Sequence, residues 1–276
     1  MASNPSEVLI RELKRRRYSP QTIKTYVGCL ERFLRWCKKP INQITKKEVR
    51  EYLEMKADKE RAGNTLNVIL MALKFYFEQC LGRKMWIDIK YSKTPKRIQR
   101  FLTKQEILKM FKEIKNFQHR LMIELMYSAG LRVGEVVNLK VKDLVLEEDH
   151  GFVRNGKGGK DRVFVIASIV REKLKYLIEN FSRDLADYVF LTNRGRKYNI
   201  RSLQAIVKKS AKKSGIENWQ EVHCHTLRHS FATHLIEHDY TVSDVQASLG
   251  HKSPETSMVY VHGNGRLIGI KSPLDF

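Results

Sequence analysis

Residues 223–235 read HCHTLRHSFATHL. Placed on a helix at ~100° per residue, Leu227, Phe231 and Leu235 stack on one side, and Ala232 and Ile236 widen it. Arg228 falls between Phe231 and Ala232 on that wheel, inside the apolar sector, and His225 borders it. A guanidinium keeps its charge, and an unpaired buried charge is costly, so Arg228 needs an anion. That anion is either a carboxylate of the protein or a phosphate of a ligand. The surrounding sequence has to decide between them.

Downstream, Ser243 and Gln246 cap a further helix that stops at Gly250, and Ser253-Pro254 starts a short helix carrying Met258, Tyr260 and Val261. Residues 263–276, GNGRLIGIKSPLDF, form a tail that opens on Gly-Asn-Gly and ends in apolar clusters. Upstream, helices are expected near 169–181 and 200–214. Strands at 152–155 and 161–166 flank the turn GKGG, a hairpin signal. A helix through Leu121, Leu125 and Met126 ends at Gly130, and another begins near Val133. Thr103 and Glu106 form a capping box ahead of Ile107, Leu108, Phe111 and Ile114.

The first ninety residues read as about four helices. The first lies around residues 6–17. Ser19-Pro20 caps the second, which carries Ile23, Tyr26, Val27, Leu30, Phe33, Leu34 and Cys37. Thr45 and Glu48 box a third with Val49, Tyr52 and Leu53. The fourth runs through Leu66, Ile69, Leu70, Leu73 and Phe77 toward Gly82. Residues 91–100, YSKTPKRIQR, break the pattern with Pro95 and four basic side chains (Lys93, Lys96, Arg97, Arg100). The expected organisation is a helical domain over 1–90, a basic linker over 91–100, and a second domain over 101–276 with its tail from about 263. The fold class is mainly α with a small β-sheet (α+β).

Charge is the strongest global signal. The 276 residues carry 52 Lys and Arg against 30 Asp and Glu, a net +22. Residues 1–95 hold 21 basic and 10 acidic side chains and the remainder 31 and 20, so no single tail explains the excess. Such a field favours a polyanion, nucleic acid above all; the plainer alternative is a lysine-rich surface kept for solubility. Cys29, Cys37, Cys80 and Cys224 show neither a CxxC pair nor disulfide-like spacing. No apolar run reaches the ~20 residues of a membrane span, and the charged N-terminus does not resemble a signal peptide. The cytoplasm is the default compartment.

Several residues stand out chemically. Arg132 opens the helix RVGEVVNL, where the helix dipole disfavours a cation unless an anion joins it; Glu135, three residues on, is the alternative partner. Two helices joined by a short glycine turn also resemble a helix-turn-helix, which binds DNA without chemistry. GKGGK (156–160) lacks the spacing of a phosphate-binding P-loop, but a hairpin there can project Lys157 into a groove. Five histidines crowd residues 223–238, and His225 with His229 could chelate zinc. Arg228 between them opposes a cation, and the glutamate of an HExxH helix is absent. His251 follows Gly250 at a helix C-terminus, and Tyr260 read alone is an ordinary core aromatic.

Taken in order, GLRVGE (130–135), GKGGK (156–160), HTLRH (225–229), LGH (249–251) and Tyr260 resemble the tyrosine recombinase family, also called the integrase family. The helical first domain resembles that family's core-binding domain, and the compact chain is most similar to the Xer branch. The resemblance implies that Tyr260 is the nucleophile that takes up a 3′-phosphotyrosyl link. It implies that Arg132 and Arg228 grip the scissile phosphate and that Lys157, rather than Lys160, protonates the leaving 5′-oxygen. His225 and His251 would assist proton transfer. It further implies double-stranded DNA as substrate, four protomers on two sites, a tail packed in trans, resolution of chromosome or plasmid dimers, and no cofactor or metal. The competing expectations are a type IB topoisomerase-like enzyme, a non-catalytic DNA-binding regulator and a zinc hydrolase.

Overall fold

The computed structural model describes residues 4–59, 63–83, 100–154, 161–250 and 270–276, together with the backbone of 261–262 and 266–267. The chain divides into two compact units, Met1–Arg97 and Ile98–Phe276.

The first unit is helical: α1 (Pro5–Arg15), α2 (Pro20–Cys37), α3 (Lys46–Asp58) and α4 (Gly63–Lys74), the last running into a π-helical turn over Phe75–Cys80. The caps are those expected. Ser19 Oγ accepts from the Thr22 amide at 3.1 Å, and Glu48 accepts from the Thr45 amide at 2.7 Å. Leu9, Leu30, Phe33, Val49, Tyr52 and Leu73 close the core. Phe75, Tyr76 and Phe77 are consecutive and all buried, more than the single apolar stripe of a one-sided helix would present. The wider π turn, closed by Leu81 N–H on the Tyr76 carbonyl, brings all three inward.

The second unit is mixed. Helices α5 (Lys104–Lys112), α6 (Phe117–Ser128) and α7 (Val133–Asn138) lead into strands β1 (Leu144–Val145), β2 (His150–Val153) and β3 (Arg162–Val165). There follow α8 (Ser168–Asn180), α9 (Ile200–Lys213), α10 (Cys224–Glu237) and α11 (Val242–Leu249), then a two-stranded ladder of β4 (Val261–His262) and β5 (Arg266–Leu267). The sheet is antiparallel in the order β1-β2-β3, with Gly151 opposite Phe164 and Val153 opposite Arg162. Helix α6 is the hub. It is buried on nearly all sides and packs against α5, α7, α8, α9 and α10, so its sequence is apolar around the wheel rather than along one stripe.

Two expectations change. Helix α11 is capped by Thr241 and Asp244, not by Ser243 and Gln246: Thr241 Oγ1 accepts from the Asp244 amide at 3.2 Å, and Asp244 accepts from the Thr241 amide at 2.9 Å. The sheet has a third strand, β1, and the tail region a second ladder, each built from elements two residues long. Such elements are too short to leave a periodic signature. The helix expected after Ser253 and the linker 91–99 lie outside the described residues. No helix among the described residues is long and apolar enough to cross a membrane.

In the single chain the last residues pack on their own unit. Ile270 and Ser272 are buried, and Ser272 Oγ donates to the Ser128 carbonyl at 2.8 Å. Asp275 accepts from the Ser168 amide at 3.0 Å, supplying the helix cap that Ala167 cannot, and Phe276 lies against the His238 ring.

Candidate phosphate-binding site

The site is assembled from three turns of chain that glycines allow to meet. Gly130, between α6 and α7, has φ +59°, and a Cβ there would lie 2.6 Å from the Phe231 ring. Gly250, the C-cap of α11, has φ +66°, and a Cβ there would lie 2.5 Å from Cδ of Arg162. A side chain at either position would be strained and would push the site apart.

Arg228 sits in α10 between the fully buried Leu227 and Phe231 and is itself only 3% exposed. Its Nη1 donates to the Gly130 carbonyl and its Nη2 to the Leu249 carbonyl at 2.6 Å. One guanidinium therefore fastens the loop ahead of Arg132 to the turn ahead of His251. Arg132 precedes α7 in extended backbone. Its amide donates to Glu135 Oε2 at 2.8 Å, and its Nη1 donates to Oε1 at 2.7 Å. Glu135 is thus the working half of a capping box, since an arginine side chain has no acceptor to offer in return.

The third cation is one that sequence reading missed. Arg162, at the start of β3, is 7% exposed; its Nη2 donates to Glu135 Oε2 at 2.7 Å and its Nη1 to the Ser248 carbonyl at 3.1 Å. The signal that could have found it is the one that singled out Arg228. By the period of two, Arg162 shares a strand face with Phe164 and Ile166, so it is a charge on a buried face.

The carboxylate of Glu135 consequently faces three guanidiniums, with Arg228 Nη1 the farthest at 4.0 Å. Burial pushes its carboxyl up, but Arg162 and then Arg132 hold it below the usual carboxylate value. Arg228 is pushed down to about 9, first by burial and then by Arg132 and Arg162, with Glu135 opposing. At neutral pH it stays charged in a site holding more positive charge than Glu135 can offset. The exposed His225 ring is lowered from its ordinary value by desolvation, then by Arg228, His223, His229 and Arg132, and so is neutral at pH 7.

Of the six residues expected to act, Arg132, His225 and Arg228 are brought to one place; Lys157, His251 and Tyr260 lie outside the described residues. The strands on either side of the Lys157 segment are paired at Val153 and Arg162, and the turn before His251 is gripped by both buried arginines. Three of the other crowded histidines have partners of their own: His223 Nδ1 accepts from the Thr226 amide, His234 bonds the Tyr127 hydroxyl at 2.8 Å, and the His238 ring lies against Phe276. Among the described residues no group of three His, Cys, Asp or Glu is placed to hold a metal ion.

Three guanidiniums gathered on one carboxylate, two of them buried, form a cluster whose charge and forked geometry suit an anion such as phosphate. Residues 100–266 match the phage integrase family, and residues 7–87 match the phage integrase N-terminal SAM-like domain. The tyrosine recombinase XerA of Pyrococcus horikoshii is 33% identical over 248 residues, covering 88% of this chain and 83% of the relative. A crystal structure of XerA recombinase aligns with a TM-score of 0.52 at 28% identity, over 94% of this chain and 93% of that one. A lambda integrase tetramer bound to a Holliday junction aligns with a TM-score of 0.72 at 22% identity, over 90% and 76%. The chain belongs to the phage integrase family, the tyrosine-type DNA strand transferases.

Proposed function

We propose that this enzyme cuts and rejoins duplex DNA at a specific site through a covalent tyrosyl intermediate. The phenolic oxygen of Tyr260 attacks the scissile phosphorus, passing its proton to a histidine, His225 or His251. The bond from phosphorus to the 5′-oxygen breaks, and that oxygen takes a proton from Lys157. The DNA is left joined to Tyr260 through a 3′-phosphate, and the reverse steps on another strand's 5′-hydroxyl reseal it. The number of phosphoester bonds is unchanged, so no nucleotide is required to reseal the strand; in this reading the guanidiniums supply the charge stabilisation a metal would give, and EDTA should leave cleavage intact.

The observation that carries this reading is the charge of the buried cluster. Arg132, Arg162 and Arg228 share one carboxylate, an excess of two positive charges. Phosphoryl transfer depends chiefly on positioning and on stabilising oxygens that gain negative charge, and forked guanidiniums match phosphate geometry. The outward N–H groups of Arg132 and Arg228 would bind the non-bridging oxygens.

In the same reading residues 1–90 and the basic linker 91–100 add further contacts to the DNA, and four protomers act on two sites. The tail from about residue 263 exchanges onto a neighbouring protomer when they assemble, giving up the contacts of Ser272, Asp275 and Phe276 to its own unit. The similarity to Xer recombinases supports resolution of chromosome or plasmid dimers as the role. The test is to incubate wild-type protein and Tyr260→Phe with nicked genomic fragments, trap the adducts and sequence the attached DNA. Wild type should yield adducts at one recurrent sequence, and Tyr260→Phe should bind DNA without any. Adducts persisting in the variant would place the nucleophile elsewhere.

A further inference from the structure

The function just proposed gives work to Arg132 and Arg228 but leaves Arg162, the other buried cation of the cluster, without a task. Oxygen Oε2 of Glu135 is the contested atom. It accepts from the Arg132 amide at 2.8 Å and from Arg162 Nη2 at 2.7 Å, and the next donor in reach is Arg228 Nη1 at 4.0 Å. Were Arg162 absent, Arg228 would be the next cation to answer that oxygen, against its bonds to the Gly130 and Leu249 carbonyls, and a misplacement of about 1 Å in a catalytic site can cost ~100-fold in rate. The second fork of Arg162, on the Ser248 carbonyl, holds the end of α11 three residues before His251, and Gly250 is bare of side chain where Arg162 lies against it.

We propose that Arg162 is a positioning residue: it occupies Glu135 so that Arg228 is not drawn onto that carboxylate and keeps its remaining N–H groups for the phosphate. The inference rests on the recombinase reading, because only a phosphate gives Arg228 something to be kept free for. Arg162 does not touch the DNA.

A double-mutant cycle in single-turnover cleavage of a trapped target sequence separates this from a merely structural role. Arg162→Met should lower the rate by about 100-fold with DNA affinity little changed, as expected when a positioned charge is lost from a transition state. Glu135→Gln removes the charge that competes for Arg228 and should cost about tenfold through Arg132. The double variant Arg162→Met/Glu135→Gln should then be no slower than Glu135→Gln alone. Independent structural damage would instead multiply to about 1,000-fold and overturn the proposal. Should Arg162→Met fail to fold by thermal melting, Arg162→Lys carries the test. An ammonium can still occupy Oε2 and should keep cleavage within about tenfold of wild type; a deficit of about 100-fold in a folded lysine variant would overturn it. If wild type forms no adduct on Tyr260, the recombinase reading fails; if it does and the cycle is multiplicative, this inference alone fails.

Discussion

Two buried carboxylates of the second unit attract cations in opposite ways. Glu124 in α6 is 2% exposed and bonds both Arg120 at 2.7 Å and Lys173 at 2.7 Å. Those cations are 43% and 24% exposed, so their surplus charge is met by water. Glu135 is 9% exposed and gathers three cations; Arg132 is 31% exposed and reaches water, but Arg162 and Arg228 are 6% and 3% exposed, so one positive charge of the surplus stays inside. The first arrangement is complete as it stands. The second is held in place by the fold around it and is short of negative charge. Excess cation marks a site only when the cations themselves are dry.

The contrast breaks most visibly at Arg228. Arg228→Ala should slow covalent adduct formation by about 1,000-fold, the scale seen when a preorganised transition-state donor is removed. Binding of duplex DNA should change far less, because it is spread over many phosphates. Equal losses in rate and affinity, read from single-turnover cleavage and a titration, would make the arginine structural. A smaller effect is expected without DNA. Inorganic phosphate or sulfate at many times its Kd should raise the melting temperature, by about 2.7 kcal/mol of stabilisation at 100 times Kd. Arg228→Ala should lose that response, whereas Lys173→Ala should keep it.

His225 gives the pH dependence. Its ring is depressed below the ordinary histidine value by desolvation and then by Arg228, so it stays neutral through pH 7 and protonates only below that value. With His225 as the group that takes the Tyr260 proton, cleavage at limiting DNA should hold through neutral pH and decline only at pH below the ordinary histidine value. In Arg228→Ala the cation that lowers the ring is gone, so the acid limb should move to higher pH. An unmoved limb would separate the two residues. The smallest effect belongs to the complete cluster: Lys173→Ala should cost ~0.5–1 kcal/mol in denaturant unfolding and leave the cleavage rate of the folded enzyme unchanged.

The sequence made most of this legible where one residue carries one physical message. Ser19, Thr45 and Thr103 announce helix starts because a hydroxyl there has an orphan amide to serve, and each does so. Arg228 declared itself because a charge on an apolar face is improbable without a partner. Residues 241–246 offer two overlapping capping patterns, and packing chose Thr241 with Asp244 over Ser243 with Gln246. Arg162 escaped notice because a four-residue strand shows too little alternation to mark its own buried face, and its partners, Glu135 and Ser248, are distant in sequence. In sequence the pairing of Glu135 with Arg132 and the need of Arg228 for an anion look like two separate matters. They are one cluster, because a single carboxylate serves three guanidiniums and satisfies none of them fully.

The central claim is that the surplus charge of this cluster is answered by the scissile phosphate, and changing the charge of that phosphate tests it most directly. With the cleavage point located by adduct sequencing, a methylphosphonate at that position removes one negative charge while keeping the rest of the DNA. Against this substrate the rate deficit of Arg228→Ala should shrink from about 1,000-fold to about tenfold, because the charge it would stabilise is gone. A deficit of the same size on both substrates would mean that Arg228 holds the fold together and that the phosphate is bound elsewhere.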